Sequence, residues 1–211
     1  MITIYGMSDS GNCYKVKLAV EQLRIPYRWV EVNSAKGETR TPEFLARNPN
    51  GKVPTIRLED GSHLAESNAI LHYLAHGTPL LPAERLAQAR ALQWMFFEQY
   101  SHEPYVATPR YIVKHFSPNH ARRAELPDRL AKGRAALAVM DEHLKSRSFF
   151  VAERYTIADI ALYAYTHVAD EGGHDLGLYS NVRSWLSRVC AQPGHVGIYT
   201  RPRSLTRAAA Y

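Results

Sequence analysis

The chain opens on an alternating, strand-like run, Ile2-Thr3-Ile4-Tyr5, that ends at Gly6. From Cys13 the apolar positions Val16, Ala19, Val20 and Leu23 recur at helical spacing, and Pro26 stops that helix. Tyr27 to Val32 returns to strand character. Strand, helix and strand together predict a right-handed crossover and a parallel strand pair. A short helix is expected near Pro42 to Arg47. Thr55 to Leu58 then alternates polar and apolar side chains, and Asp60-Gly61 offers residue types that accept positive φ at both centres of a tight hairpin turn. Ser67 to His76, with Ile70, Tyr73 and Leu74, reads as a further helix. The predicted order is β-α-β-α-β-β-α, which is the order of a thioredoxin-like α/β fold.

A different pattern follows. Gly77-Thr78-Pro79-Leu80-Leu81-Pro82 holds a glycine and two prolines, so no helix crosses it, and a linker is expected over 77–84. Beyond it the apolar spacing is helical throughout: Leu92, Met95 and Phe96, then Leu130, Leu137, Met140 and Leu144, then Val182, Trp185, Leu186 and Val189. This predicts a first domain over 1–76 and an all-α helical bundle over 85–211. Pro104 and Pro109 are expected to kink or break the first long helix of the bundle. Thr156-Ile157-Ala158-Asp159, ahead of Ile160, Ala161, Ala164 and Val168, reads as a capping box with Asp159 in the place of the usual Glu or Gln.

Composition narrows the class. Of 211 residues, 45% are hydrophobic, enough to build a core, and no apolar run approaches the roughly 20 residues of a spanning helix. The first residues enter a strand directly, without a basic and apolar leader, so a cytoplasmic protein is expected. Cys13 and Cys190 are far apart and sit within helical patterns, which suggests neither a disulfide framework nor a metal site. The formal charge of +6 raises nucleic acid as a partner. Basic and acidic residues are interspersed, however, and Arg201-Pro202-Arg203 with Arg207 is the local cluster, so no nucleic-acid partner is expected. A basic surface would instead favour the approach of a small anion.

The hairpin carries the candidate chemistry. Pro54 stands at the mouth of its first strand, where a residue without an N–H belongs at a strand start, on an edge or in a cis bond. After the second strand, Glu66-Ser67 opens a helix, so a carboxylate, a hydroxyl and unpaired N–H groups gather at one N-terminus. Such a place can hold a carboxylate and an ammonium side by side. A Val53-Pro54 before a hairpin that runs into Glu66-Ser67 resembles the glutathione site of the cytosolic glutathione transferase superfamily, and the resemblance extends over essentially the whole chain. It implies a thioredoxin-like domain followed by an all-helical domain, and glutathione as co-substrate with no metal. It also implies a cis Val53-Pro54 bond, pairing of the Val53 backbone with the cysteinyl part of glutathione, and a grip on the γ-glutamyl end by Glu66 and Ser67. Lys52 is a candidate partner for the glycyl carboxylate. The Thr-x-x-Asp of the transferases opens a central helix and holds the fold, which gives Asp159 a structural role.

Activation of the thiol falls on the turn Ser8-Asp9-Ser10-Gly11-Asn12-Cys13, where a helix N-terminus favours an anion. The thiol of glutathione is mostly protonated at neutral pH, so one donated hydrogen bond and a nearby electrophile suffice. Laid against the serine-type pattern of the family, and against the Cys-x-x-Cys of thioredoxin, Ser10 takes the activating position. Asn12 is the second candidate, and Ser8 and Tyr5 are also within reach of the turn. With no cysteine at position 10, conjugation or peroxide reduction is favoured over mixed-disulfide chemistry through the protein. Cys13 reads as a small core residue. Tyr105, Arg110 and Tyr111, with Tyr163 and Tyr165, are candidates for the second-substrate pocket. The function expected is that of a glutathione transferase acting on a small hydrophobic electrophile or peroxide, as a homodimer. The alternatives are a non-catalytic binding or regulatory protein on the same fold, and a glutathione-dependent oxidoreductase or lyase.

Overall fold

The computed structural model describes residues 1–203 and, as backbone, 205–207. The side chain of Arg207, counted in the basic cluster above, lies outside the described residues. The chain forms two compact units, one made of Met1–His76 with the segment from Pro193 onward and the other of Gly77–Gln192.

In the first unit, β1 (Ile2–Gly6), α1 (Gly11–Gln22), β2 (Tyr27–Glu31), α2 (Pro42–Arg47), β3 (Thr55–Arg57), β4 (His63–Ala65) and α3 (Ser67–Ala75) follow the predicted order. β1 pairs in parallel with β2, placing Ile4 opposite Trp29, and antiparallel with β3, placing Ile4 opposite Ile56. The core beneath this sheet is built from Ile4, Val16, Val20, Trp29, Ile56 and Ile70. Burying each such side chain is worth about 1.5–3 kcal/mol. Gly6 ends β1 because a Cβ there would stand 2.7 Å from the Trp29 ring.

Three local features depart from expectation. The hairpin turn has positive φ at Gly61 (89°) but not at Asp60. Leu58 N donates to Ser62 O at 2.8 Å and Gly61 N to Leu58 O at 3.2 Å, a type I turn closed by a left-handed glycine. The Asp60 carboxylate holds it by accepting from the Ser62 N–H at 2.9 Å and hydroxyl at 2.6 Å. Secondly, the sheet has five strands in the order β4-β3-β1-β2-β5, with β5 (Leu205–Arg207) parallel to β2. A strand of three residues in a basic segment offers no alternation to read.

Thirdly, the segment from Pro193 onward groups with the first unit, not with the helical one expected to run over 85–211. It lies along α1. Lys17 Nζ donates to the carbonyls of Gly197, Ile198 and Thr200 at 3.1, 2.7 and 2.8 Å. The Tyr14 hydroxyl donates to Val196 O at 2.7 Å. Glu21 accepts from the Tyr27 hydroxyl at 2.7 Å and pairs with Arg203 Nε at 2.8 Å. α1 is therefore buried from Cys13 to Glu21, polar positions included. Burial pulls the Lys17 ammonium down to about 8, which leaves it charged at neutral pH.

The second unit is helical: α4 (Arg85–Phe97), a π-helical turn (Glu98–His102), α5 (Glu103–His115), α6 (Leu126–Leu144), α7 (Ile157–Thr166) and α8 (Ser180–Cys190). The break falls on the turn just before Pro104, where carbonyls lose a following N–H donor. Pro104 itself sits in the first turn of α5, which tolerates proline, and Pro109 lies within α5 without ending it. The 77–84 segment packs into this unit, with Leu80 and Leu81 buried and Leu80 O accepting from Ile157 N at 3.0 Å. The capping box forms as read, and the fully buried Asp159 carboxylate accepts from Thr156 N (2.9 Å), Thr156 Oγ1 (3.1 Å), Phe150 N (3.1 Å) and Trp185 Nε1 (2.9 Å). Among the described residues, no helix is long and apolar enough to cross a membrane.

Candidate functional site

The loop before β3 is shaped by Asn48, which is buried and donates from Nδ2 to Lys52 O at 2.8 Å and to Thr55 Oγ1 at 3.2 Å. It carries a cis peptide bond between Val53 and Pro54. Pro54 thus sits at the start of an inner strand, and among the described residues no group takes up the Val53 N–H or C=O. Those two groups can pair with an extended peptide. Lys52 projects as an exposed side chain next to them.

β4 feeds into α3 through Glu66, which stands at φ 68° and ψ 112°, a conformation that side chains rarely adopt. This turns the exposed Glu66 to the N-terminal end of α3, where Ser67 is 95% buried in keeping with its 5% exposure. Ser67 Oγ donates to Asn12 Oδ1 at 3.2 Å and accepts from Lys15 Nζ at 3.4 Å. A single hydroxyl therefore ties the start of α3 to the turn that opens α1.

That turn is held from below by Glu31. Its carboxylate accepts from Ser8 N at 2.8 Å, from the Ser8 hydroxyl at 2.6 Å and from Trp29 Nε1 at 2.8 Å. Ser8 is thereby committed to Glu31. Tyr5 packs its ring against Arg47, whose guanidinium carbon is 4.5 Å from the ring centroid. Ser10 caps α1, its Oγ accepting from Cys13 N at 3.4 Å, and among the described residues its hydroxyl proton is given to no acceptor. Ser10 can thus cap the helix and donate outward at once.

Cys13 lies fully buried in the core, and its sulfur accepts from Met7 N at 3.3 Å. Burial pushes its thiol up to about 12, so it stays protonated at neutral pH and does not act as a nucleophile. Cys190 is exposed on α8. Titration of the native protein with an aromatic disulfide reagent is expected to release one equivalent of thiolate rapidly and the second on denaturation. Two rapid equivalents would show that Cys13 is accessible.

The pocket candidates lie in the second unit. The Arg110 guanidinium is buried and paired with Glu171 at 2.7 Å, an engagement that favours a structural role over contact with a second substrate. Tyr105 accepts at its carbonyl from His174 Nε2 at 2.9 Å, with the ring beneath Lys132. Tyr111 is 37% exposed and packs against His115 and Phe116. Tyr163 stacks on His167 at 4.5 Å, and Tyr163 and Tyr165 are both buried in α7. Sequence reasoning missed Lys15, Glu31 and Asn48. Lys15 reaches Ser67 and Glu31 holds Ser8 from 52 and 23 positions away, which no local pattern reveals, and Asn48 binds Lys52 and Thr55 across a loop with no periodicity to read. Among the described residues, no group of three His, Cys, Asp or Glu side chains is placed to hold a metal ion.

Comparison with known proteins agrees with this architecture. Residues 9–76 match the family described as glutathione S-transferase, N-terminal domain, and residues 93–193 match glutathione S-transferase, C-terminal domain. A glutathione S-transferase from Pseudomonas fluorescens has a solved structure that superposes with a TM-score of 0.91 at 50% identity, covering 93% of this chain and 98% of that one. The disulfide-bond oxidoreductase YfcG of Escherichia coli is 31% identical over 204 residues, 92% of each chain. A further Pseudomonas fluorescens glutathione transferase family member, solved with two glutathione molecules bound, is 29% identical with a TM-score of 0.79 over 92% of this chain and 89% of that one. Elongation factor 1-gamma-B of Xenopus laevis is 31% identical, and this chain spans 45% of its length. The chain belongs to the glutathione S-transferase superfamily.

Proposed function

We propose that the protein binds glutathione at the first unit and activates its thiol for attack on a small hydrophobic electrophile or a peroxide. The observation that carries this reading is the Ser67-to-Asn12 hydrogen bond of 3.2 Å, which joins the expected γ-glutamyl grip to the expected thiol turn. Glutathione would lie extended, with its cysteinyl backbone on the Val53 N–H and C=O, its γ-glutamyl ammonium on Glu66, the adjoining carboxylate at Ser67 and its glycyl carboxylate toward Lys52. The sulfur then meets the N-terminal end of α1, where the Ser10 hydroxyl donates to the thiolate. In conjugation the thiolate sulfur forms a bond to the electrophilic carbon, and the leaving group departs with the electron pair of the broken bond.

Similarity to a disulfide-bond oxidoreductase favours glutathione-dependent thiol-disulfide chemistry as the second reading. The burial of Cys13 means that such exchange would run between glutathione sulfurs without Cys13 in the path.

Calorimetry tests the binding site. Wild-type protein is expected to bind glutathione at millimolar concentration, and Glu66→Ala to weaken it by about 1.5–3 kcal/mol, the value of a charge-assisted hydrogen bond. Absence of heat in the wild type, or equal affinity in the variant, would contradict the assignment. We also propose a cytoplasmic homodimer, as the resemblance implies. Light scattering should then give about twice the chain mass of 23.9 kDa, and a monomer mass at micromolar concentration would remove the dimer.

A further inference from the structure

Lys15 is fully buried, an uncommon state for a lysine, and its ammonium reaches Ser67 Oγ and Asn68 Oδ1, both at 3.4 Å. These two residues form the first turn of α3, whose free N–H groups already carry partial positive charge. A buried cation placed there adds charge of the same sign behind Ser67, which favours an anion docked at that hydroxyl. The hydrogen bonds have a direction. Lys15 donates to the lone pair of the Ser67 oxygen, so the Ser67 proton must be given elsewhere, and in this structure it goes to Asn12 Oδ1 at 3.2 Å. A ligand carboxylate at the same hydroxyl would accept that proton instead, from an oxygen made a stronger donor by the ammonium behind it.

We propose that Lys15 is a positioning residue that acts through Ser67 to select a ligand carrying a carboxylate at the α3 end of the site. For glutathione, this is the α-carboxylate of its γ-glutamyl group. The inference rests on the glutathione reading given above and deepens it. Lys15 accounts for the carboxylate, whereas Glu66 accounts for the neighbouring ammonium.

The test uses two ligands, glutathione and its analogue lacking only that carboxylate, 4-aminobutyryl-cysteinyl-glycine. Binding to wild type, Lys15→Met, Ser67→Ala and the double variant is measured by calorimetry, with the thermal midpoint of each recorded. Wild type is expected to prefer glutathione over the analogue by about tenfold to a hundredfold, the range of one hydrogen bond to a charged group. Lys15→Met should lose most of that preference while binding the analogue as wild type does, and should add little to Ser67→Ala. A purely structural lysine would weaken both ligands equally, and that result would overturn the proposal. Should Lys15→Met fail to fold, Lys15→Gln and Lys15→Arg take its place: loss of the preference in Lys15→Gln with its retention in Lys15→Arg supports the proposal, and a wild-type preference in Lys15→Gln overturns it. Wild type that binds neither ligand ends the glutathione reading and this inference together, whereas binding of both with no preference ends this inference only.

Discussion

Asp159→Ala is expected to lower stability by at least about 4 kcal/mol, because four donors converge on this fully buried carboxylate and each unpaired buried donor costs about 1–3 kcal/mol. Thr156, Phe150 and Trp185 would all be left unpaired in one step. The capping of α7, the approach of the 148–156 loop and the seat of α8 depend on the same oxygens. Domains of this kind hold a total of only about 5–15 kcal/mol, so the helical unit should lose its cooperative fold well before the wild type does. In a thermal melt followed by circular dichroism the midpoint should fall by about 8–16 °C. Asp159→Asn should also destabilise, since one acceptor oxygen becomes an amide donor facing other donors. Burial pushes the Asp159 carboxyl up to about 6 against the pull of its four donors, which leaves it ionised at neutral pH, where the melts are compared. A shift of under about 2 °C, the effect of no more than about 1 kcal/mol, would show that the network is dispensable.

Ser10→Ala is expected to slow turnover by about a hundredfold to a thousandfold, the upper range for one donor to a developing anion, and by less if water reaches the sulfur. Affinity for glutathione should change little, because Glu66, Ser67 and the Val53 backbone provide the grip. The structure sharpens the choice among the candidates. Ser8 is bound to Glu31, the Ser10 hydroxyl proton has no acceptor among the described residues, and Asn12, which accepts from Ser67 at Oδ1, would have to donate through Nδ2. Asn12→Ala should change turnover less than Ser10→Ala does. The split between kcat and KM in the two variants checks this. A fall in kcat confined to Asn12→Ala would move the donor role to Asn12.

The elements legible in the sequence were those whose partners lie nearby. The β1-α1-β2 crossover, the hairpin, the Glu66-Ser67 helix start and the Thr156-Asp159 box each declare themselves by spacing within a few residues. What stayed hidden depends on segments far apart in the chain. Lys15 and Lys17 sit on α1 at positions that a single amphipathic stripe would leave in water, and they are buried because α3 on one side and the 193–203 segment on the other cover that helix. Glu31 ends a strand and carries no local mark of its hold on Ser8. The Asp60-Gly61 pair was read as a two-residue turn from residue type, although the same pair serves equally in a type I turn with one left-handed glycine, as found here. Pro104 and Pro109 marked the right helix, but the break formed in the π-helical turn ahead of them.

The central claim is that the first unit holds glutathione with its sulfur ionised at the start of α1, and ultraviolet difference titration of the bound thiol tests it most directly. The account predicts a thiolate band in the wild-type complex at a pH below that at which free glutathione ionises, a shift of that band toward higher pH in Ser10→Ala, and no change in Cys13→Ala beyond a small loss of stability. A wild-type complex whose sulfur ionises only where free glutathione does would contradict it.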